Sequence, residues 1–260
     1  MWNIIRAQNY QTRNDLVVVV ALLLIGILAV ISPMFNVVGV PFSDFTGSFY
    51  AVNSDKSFLL FVALVITARV CGWDQSDKTI NYELLAGHNR SAVYFGRIIT
   101  TFIWVGVSCA VLMFVPLGVC SAINGWGYSA DFSWVMTRYL LAFLPIFRVT
   151  FELALLTFLL RSSGLSIVLG YLLLDIVCIT DSILRVESDI EITWQLGVTN
   201  LMRVTGFPDY SYGFVDGEDV IVYESALDQP FVIGTVAASV LVGAACLIIG
   251  LVLFKKRDMK

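Results

Sequence analysis

The chain has 260 residues, 58% of them apolar and only 14% charged, with a mean hydropathy of +0.84 and a formal net charge of −4. A soluble domain is about half apolar and about a quarter charged, so an aqueous globule is excluded and a lipid solvent is the simple explanation. A net charge this small also gives no basic footprint for nucleic acid.

The first fifteen residues, MWNIIRAQNYQTRND, are too polar to span a bilayer. Trp2, Ile4, Ile5 and Tyr10 alternate with Asn3, Arg6, Gln8 and Arg13, which predicts an amphipathic helix over 1–15 lying at the inner interface. A hydrocarbon core of about 30 Å needs about 20 mainly apolar helical residues. Runs of that kind fall at 16–35, 57–73, 98–121, 138–160, 163–184 and 231–254. They do not alternate as barrel strands would, so the expected fold is an all-α membrane protein with six transmembrane helices filling 16–260. Its second span is the shortest and carries Arg69 near its end, from where a long side chain can reach the interface.

Even-numbered crossing puts both termini on one side, and the basic residues choose the side. Arg6, Arg13, Arg69, Lys78, Arg90, Arg97, Arg161, Lys255, Lys256, Arg257 and Lys260 then face the cytoplasm, against Lys56, Arg138, Arg185 and Arg203 outside. The expected location is the bacterial cytoplasmic membrane, multi-pass, with both termini cytoplasmic. No cleavable leader is evident in the first apolar run.

The outer loop 34–56 opens on Pro33, Gly39 and Pro41, and the loop 122–137 is rich in glycine and aromatics. The longest outer loop, 185–230, is acidic yet holds Ile190, Ile192, Trp194, Leu196, Val198, Leu201, Met202 and Val204. A disordered acidic loop would be poorer in such residues, so one or two short extracellular helices are expected there, resting on the outer surface. Pro208 and the stretch GFVDGED mark turns.

Catalytic motifs are missing. No Gly-Lys pair exists, so there is no phosphate-binding loop. The one histidine, His88, has no second histidine for a zinc site, and no G-x-S-x-G elbow occurs. Cys71, Cys109, Cys120, Cys178 and Cys246 lie in or beside apolar runs without C-x-x-C spacing and read as small apolar fillers. The chain is expected to be no enzyme, to bind no metal and to carry no cofactor of its own.

Two constellations carry chemistry. Between the second and third spans runs WDQSDKTINYELLAGHNRSAVYFGRI, residues 73–98, too polar for membrane. Asp77 or Ser76 suits an N-cap, Gly87 a C′ position, and Asn89-Arg90-Ser91 the cap of a second helix leading into span three. Ile80, Tyr82, Leu84 and Leu85 form an apolar patch, Glu83 a polar contact, and Arg90 orients the next helix, as expected of a docking knob for a soluble partner. The plain alternative is an ordinary interfacial helix. The second constellation is Arg148 and Glu152 in span four, with Asp175 in span five. Intramembrane charges are costly and face the bundle interior or an aqueous cavity. Arg148 and Glu152 share a helix face, and Asp175 is a second partner at a similar depth, roughly 12–15 Å below the outer surface. A polar path or gating latch and a structural ion pair are both compatible with that spacing.

The 74–97 segment resembles the corresponding segment of ABC-2 type permeases, the membrane subunits of bacterial ABC exporters. That family shows an acidic residue, a Thr-x-x-x-x-Leu-Leu block, an Arg about six residues on and a basic residue entering the third span. Here these are Asp74 or Asp77, Thr79, Leu84–Leu85, Arg90 and Arg97. The layout, the interfacial first helix and the basic FKKRDMK end are similar too. The resemblance implies a permease subunit coupled through Thr79, Ile80, Tyr82, Glu83, Leu84, Leu85, His88 and Arg90 to a separate ATPase, two copies of each, with ATP and Mg bound by that partner. Short permeases of this type resemble those of lantibiotic-immunity and phenol-soluble-modulin exporters, which implies an amphipathic peptide or other hydrophobic substrate and a second permease copy, homodimeric or a sister subunit. A secondary transporter or channel is the alternative; it predicts internal repeats or broken helices, and none is visible between the two halves of the sequence.

Overall fold

The computed structural model describes residues 2–36, 45–76, 86–87, 89–188, 192–206, 209–215, 218–224 and 227–256. Helix α1 (Trp2–Asn14) turns Ile4, Ile5, Gln8 and Thr12 into the protein and leaves Trp2 and Tyr10 exposed, so the apolar set of the alternation is split and Gln8 joins the buried side. Asp15 ends it and starts α2 (Leu16–Asn36), its Oδ1 accepting from the Val17 amide at 2.9 Å. An N-cap carboxylate stabilises the positive end of a helix. The same carboxylate takes Arg69, with Nη2–Oδ2 at 2.7 Å, and the guanidinium lies 3.6 Å from the centre of the Trp73 ring. Arg69 is therefore paired where α1 meets α2 and packed on Trp73.

Helix α3 (Gly47–Asn53) leads into α4 (Phe58–Ser76) through a bend of 71°. The long helices α5 (Arg90–Asn124), α6 (Phe132–Leu160) and α7 (Ser163–Ser188) follow. Then come the short helix α8 (Gly197–Thr205), strands β1 (Asp209–Val215) and β2 (Glu218–Glu224), and the last long helix α9 (Gln229–Lys256). Five helices, α2, α5, α6, α7 and α9, are long and apolar enough to cross a membrane, and the bent pair α3–α4 makes a sixth if it counts as one span.

The long loop departs from expectation. One or two short helices are expected there; one, α8, is present, and β1 and β2 form an antiparallel hairpin with Tyr210 opposite Tyr223 and Tyr212 opposite Ile221. Tyr, Phe, Val and Ile dominate the pair, and Asp216-Gly217 between them is a favoured hairpin dipeptide. The α8 helix does not rest on an outer surface either. Val198, Leu201 and Val204 are buried in the main core with Val149 and Ile146 of α6.

Contacts gather the chain into two ends. At one, Ile4 lies against Gly96, Arg90 donates to the Lys255 carbonyl at 2.9 Å, and Phe254 packs on Tyr94 and Phe158. Both the first helix and the last therefore finish at the end where α5 starts. At the other end the amides of Gly47 and Ser48 bond to the carbonyls of Gly125 and Trp126 at 3.0 and 2.7 Å. Gly127 has φ +83°, and a Cβ there would run into Thr46, so only glycine fits this turn. Between the ends, Leu59, Val62, Ile66, Val105, Met113, Tyr139 and Ile146 make one continuous core on α4, α5 and α6.

Candidate functional site

Arg148 sits about 24 Å along α6 from Phe132, near the helix midpoint. It is buried, and its Nε donates to Glu152 Oε1 at 3.0 Å, the spacing of four residues placing both on one face. The remaining donors go elsewhere than the sequence suggests. Nη1 donates to the Trp194 carbonyl at 3.2 Å, and Nη2 donates to the carbonyl of Gln195. These carbonyls belong to the turn that precedes α8. Only a fork of donors satisfies two successive carbonyls and a carboxylate together, which is what guanidinium supplies.

A second arginine holds the other end of the same helix. Arg138, also buried on α6, donates from Nη1 to the carbonyls of Arg203 and Val204 at 3.3 and 3.2 Å and to that of Gly206. Ten residues separate the arginines, about 15 Å of helix, and α8 with nine residues spans about 13.5 Å. The short helix thus runs antiparallel beside α6 with its first residue at the depth of Arg148. Gly197 permits this closeness: a Cβ would meet the Val149 side chain at 2.8 Å. On the far side Asn200 Nδ2 donates to Thr235 Oγ1 of α9 at 2.8 Å, and Trp194 covers Gly234. Residues 192–206 therefore form a re-entrant element wedged between α6, α7 and α9.

Asp175 is not part of this cluster. Among the described residues no ion pair includes it. No Arg148–Asp175 ion pair occurs among the described residues; the Arg148 donors turn to Glu152 and to the carbonyls of Trp194 and Gln195. A cavity of about 230 Å³ lies between α6, α7 and the start of α8, lined by Arg148, Glu152, Leu153, Gly170, Leu174 and Val177. A larger one, about 530 Å³, opens where α7 passes α8, with Asp181, Ser182, Arg185, Thr199 and Arg203 on its wall. Arg185 donates to Asp181 Oδ2 at 3.0 Å.

Of the segment between spans two and three, Thr79, Ile80, Tyr82, Glu83, Leu84, Leu85 and His88 lie outside the described residues. Its exit is described: Gly87 has φ +85°, and the Asn89 side chain accepts from the Ser91 amide at 3.2 Å. Arg90 ties the start of α5 to the end of α9, an orienting contact. Arg97 is fully buried at the foot of α5. Among the described residues no group of three His, Cys, Asp or Glu side chains is arranged to hold a metal.

Arg138, Asp181 and the re-entrant helix were missed in the sequence. The Arg185–Asp181 spacing of four and the apolar set Val198, Leu201, Val204 were readable signals. Nothing local revealed that two arginines would chelate carbonyls 46 to 68 residues away.

No protein-family model matches the chain, and no curated protein does.

Proposed function

We propose that the chain is the permease subunit of an ATP-driven exporter of the ABC-2 type, working with a separate ATPase. The observation that carries this reading is the elbow between α4 and α5. Gly87 turns in the left-handed region, Asn89 caps α5 and Arg90 fastens it to α9. Helix α5 thus starts at the same end of the bundle as α1 and the basic end of α9. A polar sequence leading into that end suits docking to a soluble motor, and the sequence holds no Gly-Lys pair for a phosphate-binding loop.

The described core supports a path outside the single bundle. Side chains pack the space between α4, α5 and α6, and the re-entrant helix fills that between α6, α7 and α9, so substrate passes between this chain and a second permease copy. Hydrophobic or amphipathic peptides suit a surface this apolar. The membrane is then the bacterial cytoplasmic one, the basic end is inside, and ATP with Mg belongs to the partner.

A half-helix starting near the midpoint of its neighbours is also a feature of secondary transporters, which use its N-terminus for ions or substrate. Here the carbonyls ahead of α8 are already bonded to Arg148, which favours a structural wedge. The deciding experiment is co-expression with the ATPase of the neighbouring reading frame, purification through a tag on this chain and measurement of ATP hydrolysis in nanodiscs. A complex whose hydrolysis an amphipathic peptide stimulates is expected. Uptake driven by an ion gradient in vesicles holding this chain alone would refute the proposal.

A further inference from the structure

Helix α7 has three faces. Ser163, Ser166, Gly170, Leu174, Val177 and Asp181 pack inward, and Leu172, Ile176, Ile179 and Ile183 are exposed and apolar. Between them runs a third line, Tyr171, Asp175, Cys178, Ser182 and Arg185, at alternating steps of four and three residues, which keeps it on one side of the helix. Every member is at least partly exposed. The line starts at the midpoint of the span and ends in the 530 Å³ cavity beside α8, where Cys178, Ser182 and Arg185 are wall residues.

Asp175 decides what the line is for. It stands halfway along a membrane-spanning helix, partly exposed, with no ion-pair partner among the described residues. Open lipid on that side would leave a carboxylate against hydrocarbon, which is costly. A second copy packed across the same line would set two Asp175 carboxylates face to face in low dielectric, which repels. A cation brought by a ligand satisfies the geometry, while the neighbouring Leu172, Ile176 and Ile179 suit the ligand's apolar side. Towards the cavity the wall carries Arg185, paired with Asp181, and Arg203 opposite, so the mouth is basic by one charge and a cation is held more firmly at the middle.

We propose that this flank of α7 is a track for the primary ammonium groups of an amphipathic peptide, with Asp175 as the acceptor at mid-membrane. The direction of travel rests on the exporter reading, but the binding itself does not.

The test uses the whole chain in phosphatidylcholine nanodiscs, without ATPase. The probes are a fluorescent amphipathic helical peptide rich in lysine and the same peptide with every lysine acetylated. Wild type is expected to bind the lysine form roughly tenfold more tightly. Asp175→Asn should bring the two forms to within about twofold, and Asp175→Glu should restore most of the difference. A second readout needs no substitution: alkylation of Cys178, followed by mass spectrometry, should slow several-fold with the lysine peptide at saturation and not with the acetylated one. A preference that survives Asp175→Asn, equal binding of both forms by wild type, or unprotected Cys178 would overturn the track. Loss of the preference on adding phosphatidylethanolamine would assign the line to a lipid headgroup and overturn the peptide. Failure to co-purify an ATPase would sink the exporter reading and leave these binding results standing.

Discussion

Replacing Arg148 by alanine tests the re-entrant element most directly. Three acceptors lose their donor: the carbonyls of Trp194 and Gln195 and Oε1 of Glu152. A buried acceptor left unpaired costs about 1–3 kcal/mol in water-soluble proteins, whereas hydrogen bonds between membrane helices average about 0.6 kcal/mol by double-mutant cycles. Two carbonyls therefore cost about 1–3 kcal/mol together. Glu152 is 36% exposed and can take a proton, so its part is about 1 kcal/mol or less. The expected loss is about 1–4 kcal/mol, most of it from α8. Glu152→Ala added to Arg148→Ala should return the carboxylate's share, so the double variant is milder than the sum of the singles. Unfolding by denaturing detergent titrated into mild micelles measures the totals. Thiol labelling of Val198→Cys, a buried position of α8, reports whether the wedge has come out. A loss under about 0.5 kcal/mol with Val198→Cys still protected would refute the reasoning, because the carbonyls would then need no guanidinium.

Arg138→Ala also frees three carbonyls, but nearer the helix end, where water can replace the donor; a cost of about 1–2 kcal/mol by the same titration is expected. At Gly72 a Cβ would press on Thr157 Cγ2 at 2.9 Å and on the Ser163 backbone at 3.0 Å, so Gly72→Val should part α4 from α6 and α7 and cost about 1–3 kcal/mol in thermal unfolding. Thiol reagents applied outside intact cells should label Asp216→Cys and spare Lys78→Cys; the opposite pattern reverses the orientation. Leu84→Ala or Tyr82→Ala should weaken ATPase docking by roughly thirtyfold while the chain still inserts and folds, and full complex formation in both would leave the segment an ordinary interfacial helix.

The spans were legible because lipid demands one simple property, sustained apolarity. The runs at 16–35 and 231–254 reappear as Leu16–Asn36 and Gln229–Lys256. Helices α5 and α6 are longer than their apolar runs; Asn89 caps the start of α5, and α6 begins after Asp131, six residues before its run. Arg148–Glu152 was readable because its spacing lies within one helix. The rest was hidden for one physical reason: a guanidinium that bonds to backbone carbonyls selects no residue type. Trp194, Gln195, Val204 and Gly206 carry no mark of their acceptor roles. The hairpin had a mark, Asp216-Gly217 between aromatic runs, but the acidic setting drew the reading towards helices on a surface.

The wedge at 192–206 also makes its own closure late. Its contacts reach back to α6 and α7 and forward to Thr235 of α9. One wall of its slot is made after it, so until α9 is in place the segment has only α6 and α7 to lie against. Synthesis halted before Thr235 should yield a chain whose crossing helices are inserted but whose slot stands open.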